Sequence, residues 1–164
     1  MLNLRKLNAL NREEFTRVIG PVFEHSPWIA EKTWESRPFE SRGNLHAALC
    51  KTVASSDDHA KLELIRAHPD LAGRAVLTKA SQGEQASAEL NQSSGDEIQR
   101  FDDYNRQYRE KFGFPFVICA RLNKKAAILE SFPTRLENSP EREKETALGE
   151  IFKIADLRLR EIVE

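Results

Sequence analysis

Three short segments carry side chains whose types and spacing can do chemistry. His68-Pro69-Asp70-Leu71-Ala72-Gly73 sets an imidazole, able to give or take a proton near neutral pH, before a proline that holds its backbone extended. A helix ending just ahead of it would favour the protonated ring through its negative end. The plainer reading is that His68 only ends that helix and contacts its carbonyls. Ser81-Gln82-Gly83-Glu84-Gln85 has Ser followed three residues later by Glu, the pattern of a capping box with Ser81 at the cap. Such a helix start also presents unpaired amide donors to an anion or a carbonyl, and the Gln85 amide both donates and accepts. Facing His68, it would make a compact polar site for a small anionic ligand. The third segment, 112–120, is apolar and aromatic, broken by Gly113 and Pro115. It is either core alone, or core whose backbone groups also read a heterocycle or ureido group. Cys119 has no basic neighbour in sequence to activate it and is expected to be an inert buried thiol. His25, His46, His59 and His68 are scattered, with no His-x-x-x-His or Cys-x-x-Cys pair, so the signal for a metal site is weak.

The elements that must position these segments are helical by spacing. Asn11 caps a helix with Glu13 and Glu14 in its first turn and Phe15, Val18, Ile19 and Val22 on one side, kinked or ended at Pro21. Ser26 and Pro27 are expected to open the next helix, and Ser41 another carrying Leu45, Ala48, Leu49 and Val53. A segment from 60 to 67 stops at His68-Pro69. Ser81 starts a further helix, and Asp96 caps a long one bearing Ile98, Phe101, Tyr104 and Tyr108. Segment 112–120 has no partner strand and is read as a buried extended loop leading into a helix over 124–132. Ser139 and Pro140 open the last helix, with Leu148, Ile151, Ala155, Leu159 and Ile162 on its buried face. The expected fold is all-α, a single-domain compact multi-helix bundle over 1–164 with an extended apolar active-site loop.

Composition agrees with that architecture and narrows the function. The chain has 164 residues, 40% hydrophobic, with 25 Lys and Arg against 26 Asp and Glu and a net charge of −1. That excludes a disordered tail, a fibre and a disulfide scaffold, and it provides no field that would draw in nucleic acid or an acidic membrane. No run approaches the roughly 18 apolar residues of a membrane span. Two cysteines, no signal-like leader and no peroxisomal C-terminus make the cytoplasm the default location.

Taken in order, several motifs resemble one family. They are Phe23-Glu24-His25-Ser26-Pro27-Trp28, Arg37-Pro38-Phe39, the His68 to Gly73 motif, Ser81-x-x-Glu84-Gln85, Asn105-x-x-Tyr108, Lys111-Phe112-Gly113-Phe114-Pro115-Phe116-Val117, Arg135-Leu136 and Leu157-Arg158-Leu159. Nearly the whole chain is similar to 2-oxo-4-hydroxy-4-carboxy-5-ureidoimidazoline (OHCU) decarboxylases of uric acid breakdown. The resemblance implies an all-helical homodimer and cofactor-free decarboxylation of the ureidoimidazoline to (S)-allantoin. It puts the catalytic acid/base on His68; the chemistry of the reaction, rather than the resemblance, suggests catalytic Glu84 as the group orienting the imidazole or the substrate hydroxyl. The resemblance puts substrate contacts on Pro69, on Ser81, Gln82, Gly83, Glu84 and Gln85, and on Phe116, Val117, Ile118, Cys119 and Ala120. Two departures stand out. Glu89 occupies a position where the family usually has Gly, which bears on the packing of the helix before it, and the connector from Gly73 to Ser81 is short. A helical module that binds a purine-derived ligand or a protein without chemistry is the other reading; the intact His68, Ser81, Glu84 and Gln85 set argues against it.

Overall fold

A computed structural model describes residues 1–73 and 77–164. The connector after Gly73 therefore lies partly outside the described residues. The chain is all-helical, with no strand among the described residues, and it divides into two compact units. One comprises Met1–Ala67 with Phe152–Glu164, the other His68–Ile151.

The first unit holds α1 (Leu4–Ala9), α2 (Arg12–Ile19), α3 (Trp28–Thr33), α4 (Arg42–Ala54), α5 (Asp58–Arg66) and the second half of α9 (Pro140–Ile162). Polar caps set most of its boundaries. Asn11 and Glu14 form a reciprocal capping box on α2, and Ser41 and Asp57 accept the N3 amides of α4 and α5. Ser26 does not cap α3. Its hydroxyl donates to the Glu24 carbonyl at 2.8 Å, and Pro27 itself takes the cap position without a side-chain bond. Leu7, Phe15, Ile19, Ile29, Leu45, Leu49 and Val53 are fully buried, at the three- and four-residue spacings the sequence displays. Two of the resembling motifs meet here, where Arg158 Nη2 donates to Glu24 Oε1 at 2.7 Å and Nη1 reaches the Pro21 and Val22 carbonyls. Leu2 and Val163 form an isolated parallel bridge.

The second unit holds α6 (Lys79–Ser87), α7 (Gly95–Phe112), α8 (Lys125–Leu136) and the first half of α9. Ser94, not Asp96, caps α7, in a capping box with Glu97; Asp96 sits in the first turn, where its charge favours the helix start. Gly113, at φ +76°, ends α7 in the left-handed conformation that glycine adopts without strain. Helix α8 continues past residue 132 because Pro133 keeps a helical φ and forfeits only one hydrogen bond. On α9, Ile151, Ala155 and Leu159 are buried, while Leu148 and Ile162 are only partly so.

Candidate active site

The residues from His68 to Gly73 form a turn held from two helices. His68 itself is buried, at 7% exposure. From α6, Gln85 Nε2 donates to the Asp70 carbonyl at 3.3 Å and its Oε1 accepts from the Ala72 amide at 3.1 Å. From α7, Asn105 Nδ2 donates to the Leu71 carbonyl at 3.1 Å, and Arg109 places Nε and Nη2 at 2.9 and 2.8 Å from Asp70 Oδ1. Ala72 has φ +53°, a left-handed conformation that costs a non-glycine residue about 1 kcal/mol or more. Gly73 follows because a Cβ there would lie 3.1 Å from Asp70 Cβ and 3.3 Å from its carbonyl oxygen. The turn is therefore over-determined, which is how a strained loop keeps one shape.

Helix α6 begins three residues earlier than its sequence pattern indicates, with its cap at Thr78 rather than Ser81. Thr78 is extended, with φ −61° and ψ 156°, and its hydroxyl accepts the Ser81 amide at 3.2 Å. Ser81 is thus the third helical residue rather than the cap, and it does not form a capping box with Glu84. The correction matters for the site. Inside the helix, Ser81, Glu84 and Gln85 fall on one face by the three- and four-residue rule, with Ser81 and Gln85 buried and Glu84 half-buried. Gln82 and Gly83 are exposed.

Segment 114–120 is buried throughout; the irregular stretch is shorter than the sequence indicates, since Phe112 still belongs to α7, 115–119 lie in neither helix nor strand and Ala120 opens a 3-10 turn. The Phe116 ring stacks on Phe132 at 3.9 Å and meets Tyr108 edge-on at 5.3 Å. The Cys119 carbonyl accepts from Asn123 Nδ2 at 3.0 Å and from the Leu122 amide at 3.1 Å. Cys119 is fully buried, and burial pushes its thiol pKa up; the carboxylates of Glu150 and Glu84 push in the same direction, against a bond from the Leu122 amide. Helix α6 packs on the 3-10 turn Ala120–Leu122 that ends the segment.

Within the second unit the fold thus brings together the His68 turn, the Ser81–Glu84–Gln85 face and the 116–120 segment. Gln85 ties the turn that carries His68 to α6, and α6 in turn packs on the end of the apolar segment. Among the described residues, no group of three or more His, Cys, Asp or Glu could hold a metal ion. Sequence reasoning gave no role to Thr78, Asn105, Arg109, Tyr108, Arg135 or Glu143. Asn105, Tyr108 and Arg135 do stand in the motifs that carry the resemblance, and Asn105 is also a polar residue within the apolar spacing of α7.

Nearly the whole chain is similar to known proteins. A family model described as OHCU decarboxylase matches residues 8–160. The chain is 42% identical over 160 residues to a 2-oxo-4-hydroxy-4-carboxy-5-ureidoimidazoline decarboxylase of Haloferax volcanii, covering 98% of this chain and 95% of the other. It is similar to the crystal structure of an (S)-allantoin synthase, with a TM-score of 0.79 and 31% identity over 99% of this chain and 54% of that one. A crystal structure of an OHCU decarboxylase in the presence of (S)-allantoin is similar with a TM-score of 0.69 and 27% identity, over 82% of this chain and 89% of the other.

Proposed function

The chain belongs to the OHCU decarboxylase family, and from that premise we propose that it decarboxylates OHCU to (S)-allantoin in uric acid degradation, with His68 as the acid/base. The observation that carries this reading is the convergence of a buried, clamped His68 turn with the Ser81–Glu84–Gln85 face and the 116–120 segment.

The chemistry balances with one proton. The bond from the ring carbon to the carboxylate breaks, CO2 leaves, and the electron pair passes into the adjacent C=N system. Donors set in advance stabilise that charge. The nitrogen that receives the electron pair takes up a proton as the hydroxyl on the reacting carbon gives one up and becomes the ring's amide carbonyl, and one further proton delivered to one face of the neighbouring carbon fixes the S configuration. His68 supplies or relays that proton, and Glu84 orients the imidazole or the substrate hydroxyl. Ser81 and the amides of 116–120 hold the ring and ureido polar atoms, with Pro69 beside the imidazole. Gln85 already spans Asp70 and Ala72, so it serves the site by holding the turn as well as by lining it.

The test supplies OHCU from urate with urate oxidase and hydroxyisourate hydrolase and follows allantoin by circular dichroism. The expected result is accelerated formation of the S enantiomer, abolished by His68→Asn in a folded variant. Racemic allantoin at the spontaneous rate with the wild-type protein would overturn the assignment, and normal turnover by His68→Asn would overturn the role of that residue.

Family membership also supports a homodimer, which sedimentation at micromolar concentration would reject if it found only monomer. Among the described residues no helix is long and apolar enough to cross a membrane; our reading of a cytoplasmic location would fail if fractionation placed the protein elsewhere.

A further inference from the structure

Outside the residues so far given a role in the reaction, the second unit contains one dense buried polar cluster. Glu143 of α9 is fully buried. Its Oε1 accepts from Arg135 Nε of α8 and from the Tyr108 hydroxyl of α7, each at 2.5 Å, and its Oε2 accepts from Asn138 Nδ2 at 2.9 Å. Arg135, 7% exposed, does not stop at that carboxylate. Its Nη1 donates to the Val117 carbonyl at 2.6 Å, and its guanidinium carbon lies 4.1 Å from the centre of the Phe116 ring. One side chain therefore grips two consecutive residues of the extended segment, by a charge-assisted bond and by its planar face.

A buried ion pair is poor evidence for stability, since the cost of removing both charges from water offsets most of the attraction. Geometry gives this one a purpose. The peptide bond between Val117 and Ile118 is planar and trans, so its C=O and N–H point in opposite directions. Fixing the Val117 carbonyl toward Arg135 fixes the Ile118 N–H toward the other side of the segment. Nothing in the segment's own secondary structure does this, because 115–119 belong to neither helix nor strand.

We propose that Arg135, held by Glu143 and Tyr108, is a positioning residue that aims the Ile118 N–H at the substrate. This inference rests on the reading of 116–120 as a substrate-contacting segment. The rigid fork of the guanidinium is essential to it. A lysine keeps the charge beside Glu143, but its single nitrogen cannot reproduce bonds to Glu143 and Val117 from two fixed directions.

The test is Arg135→Lys, with Ile151→Val as a comparator that trims the same unit's core on α9 and leaves the bonds of Arg135 to Glu143 and Val117 in place. Loss of one charge-assisted hydrogen bond corresponds to about a tenfold change. In folded Arg135→Lys, KM for OHCU should rise by about that factor while kcat changes much less, and hydrogen exchange at the Ile118 amide should accelerate. Ile151→Val should lower the melting temperature with KM and Ile118 exchange unchanged. Unaltered KM and Ile118 exchange in folded Arg135→Lys would overturn the proposal, as would the same rise in KM for Ile151→Val. If wild-type protein fails to decarboxylate OHCU, the functional reading fails instead, and Ile118 exchange alone decides whether Arg135 orients the peptide.

Discussion

Glu84 separates two functions a single carboxylate can serve. A cap would need it to reach back to the first turn, but Thr78 has taken the cap, and Glu84 sits half-buried on the face shared with Ser81 and Gln85. Glu84→Gln should therefore leave the unfolding free energy within about 0.5 kcal/mol of wild type, the usual effect of a substitution away from the core, as measured by urea unfolding. It should lower kcat sharply in the allantoin assay; little loss of rate would remove Glu84 from the mechanism. Cys50 makes the opposite point, that proximity to an imidazole does not create a nucleophile. Its sulfur lies 3.5 Å from His46 Nε2, yet that nitrogen donates to the Phe152 carbonyl at 2.8 Å. Burial, followed by the nearby Asp156 carboxylate, pushes the Cys50 thiol from 9.0 up to about 11. At pH 8 its thiolate population is then about 100-fold below that of an ordinary thiol. Native protein should react with Ellman's reagent correspondingly slowly, with both cysteines released on denaturation. A rapid native phase assigned to Cys50 would contradict this environment.

At the level of elements, the position where the resemblance leads one to expect Gly explains itself through the backbone. Ala88 ends α6, and Glu89 follows at φ +63°, ψ +21°, in the left-handed region. The departure noted in the sequence concerns chain conformation just beyond the helix rather than packing within it. Glu89→Gly should relieve about 1 kcal/mol of strain. For a chain of this size that raises the melting temperature by roughly 2–4 °C, measured by thermal unfolding; an unchanged or lower value would show that the exposed Glu89 side chain makes compensating contacts. Helix boundaries show what a sequence can and cannot specify. Asn11 and Ser41 are capping residues with no competitor within two positions upstream, and each caps as expected. Ser81 and Asp96 each have a second capping residue shortly before them, Thr78 and Ser94, and the chain uses the earlier one. The site divides in the same way. His68 is legible because Pro69 ends the helix beside it. The bonds that hold the site together join Gln85 to Ala72, Arg109 to Asp70 and Arg135 to Val117, pairs separated by 13, 39 and 18 positions, and no local spacing encodes them.

For the molecule as a whole, the buried acids with raised pKa values set the alkaline limit. Burial raises Cys50, Cys119 and Tyr108 above their unfolded values, and for Tyr108 the bond to Glu143 adds to the shift. A folded state that keeps these protons after the unfolded chain has lost them loses stability as pH rises. The decline begins near the unfolded thiol value of 9.0 and steepens as unfolded tyrosine ionises near 10. Each retained proton contributes a slope of about 1.4 kcal/mol per pH unit. Urea midpoints should fall from about pH 9 upward, and Cys50→Ser should make the fall shallower up to about 11; midpoints flat to pH 10.5 would show that the groups ionise freely in the fold. The Leu2–Val163 bridge has a mechanical meaning. Leu2 donates to the Ile162 carbonyl at 2.8 Å and accepts from the Glu164 amide at 3.1 Å, with the two segments running parallel. Tension applied between the first and last residues would pull the segments along one another rather than peel them apart. Both bonds would bear the load together, and the first rip in a force trace would report their joint rupture.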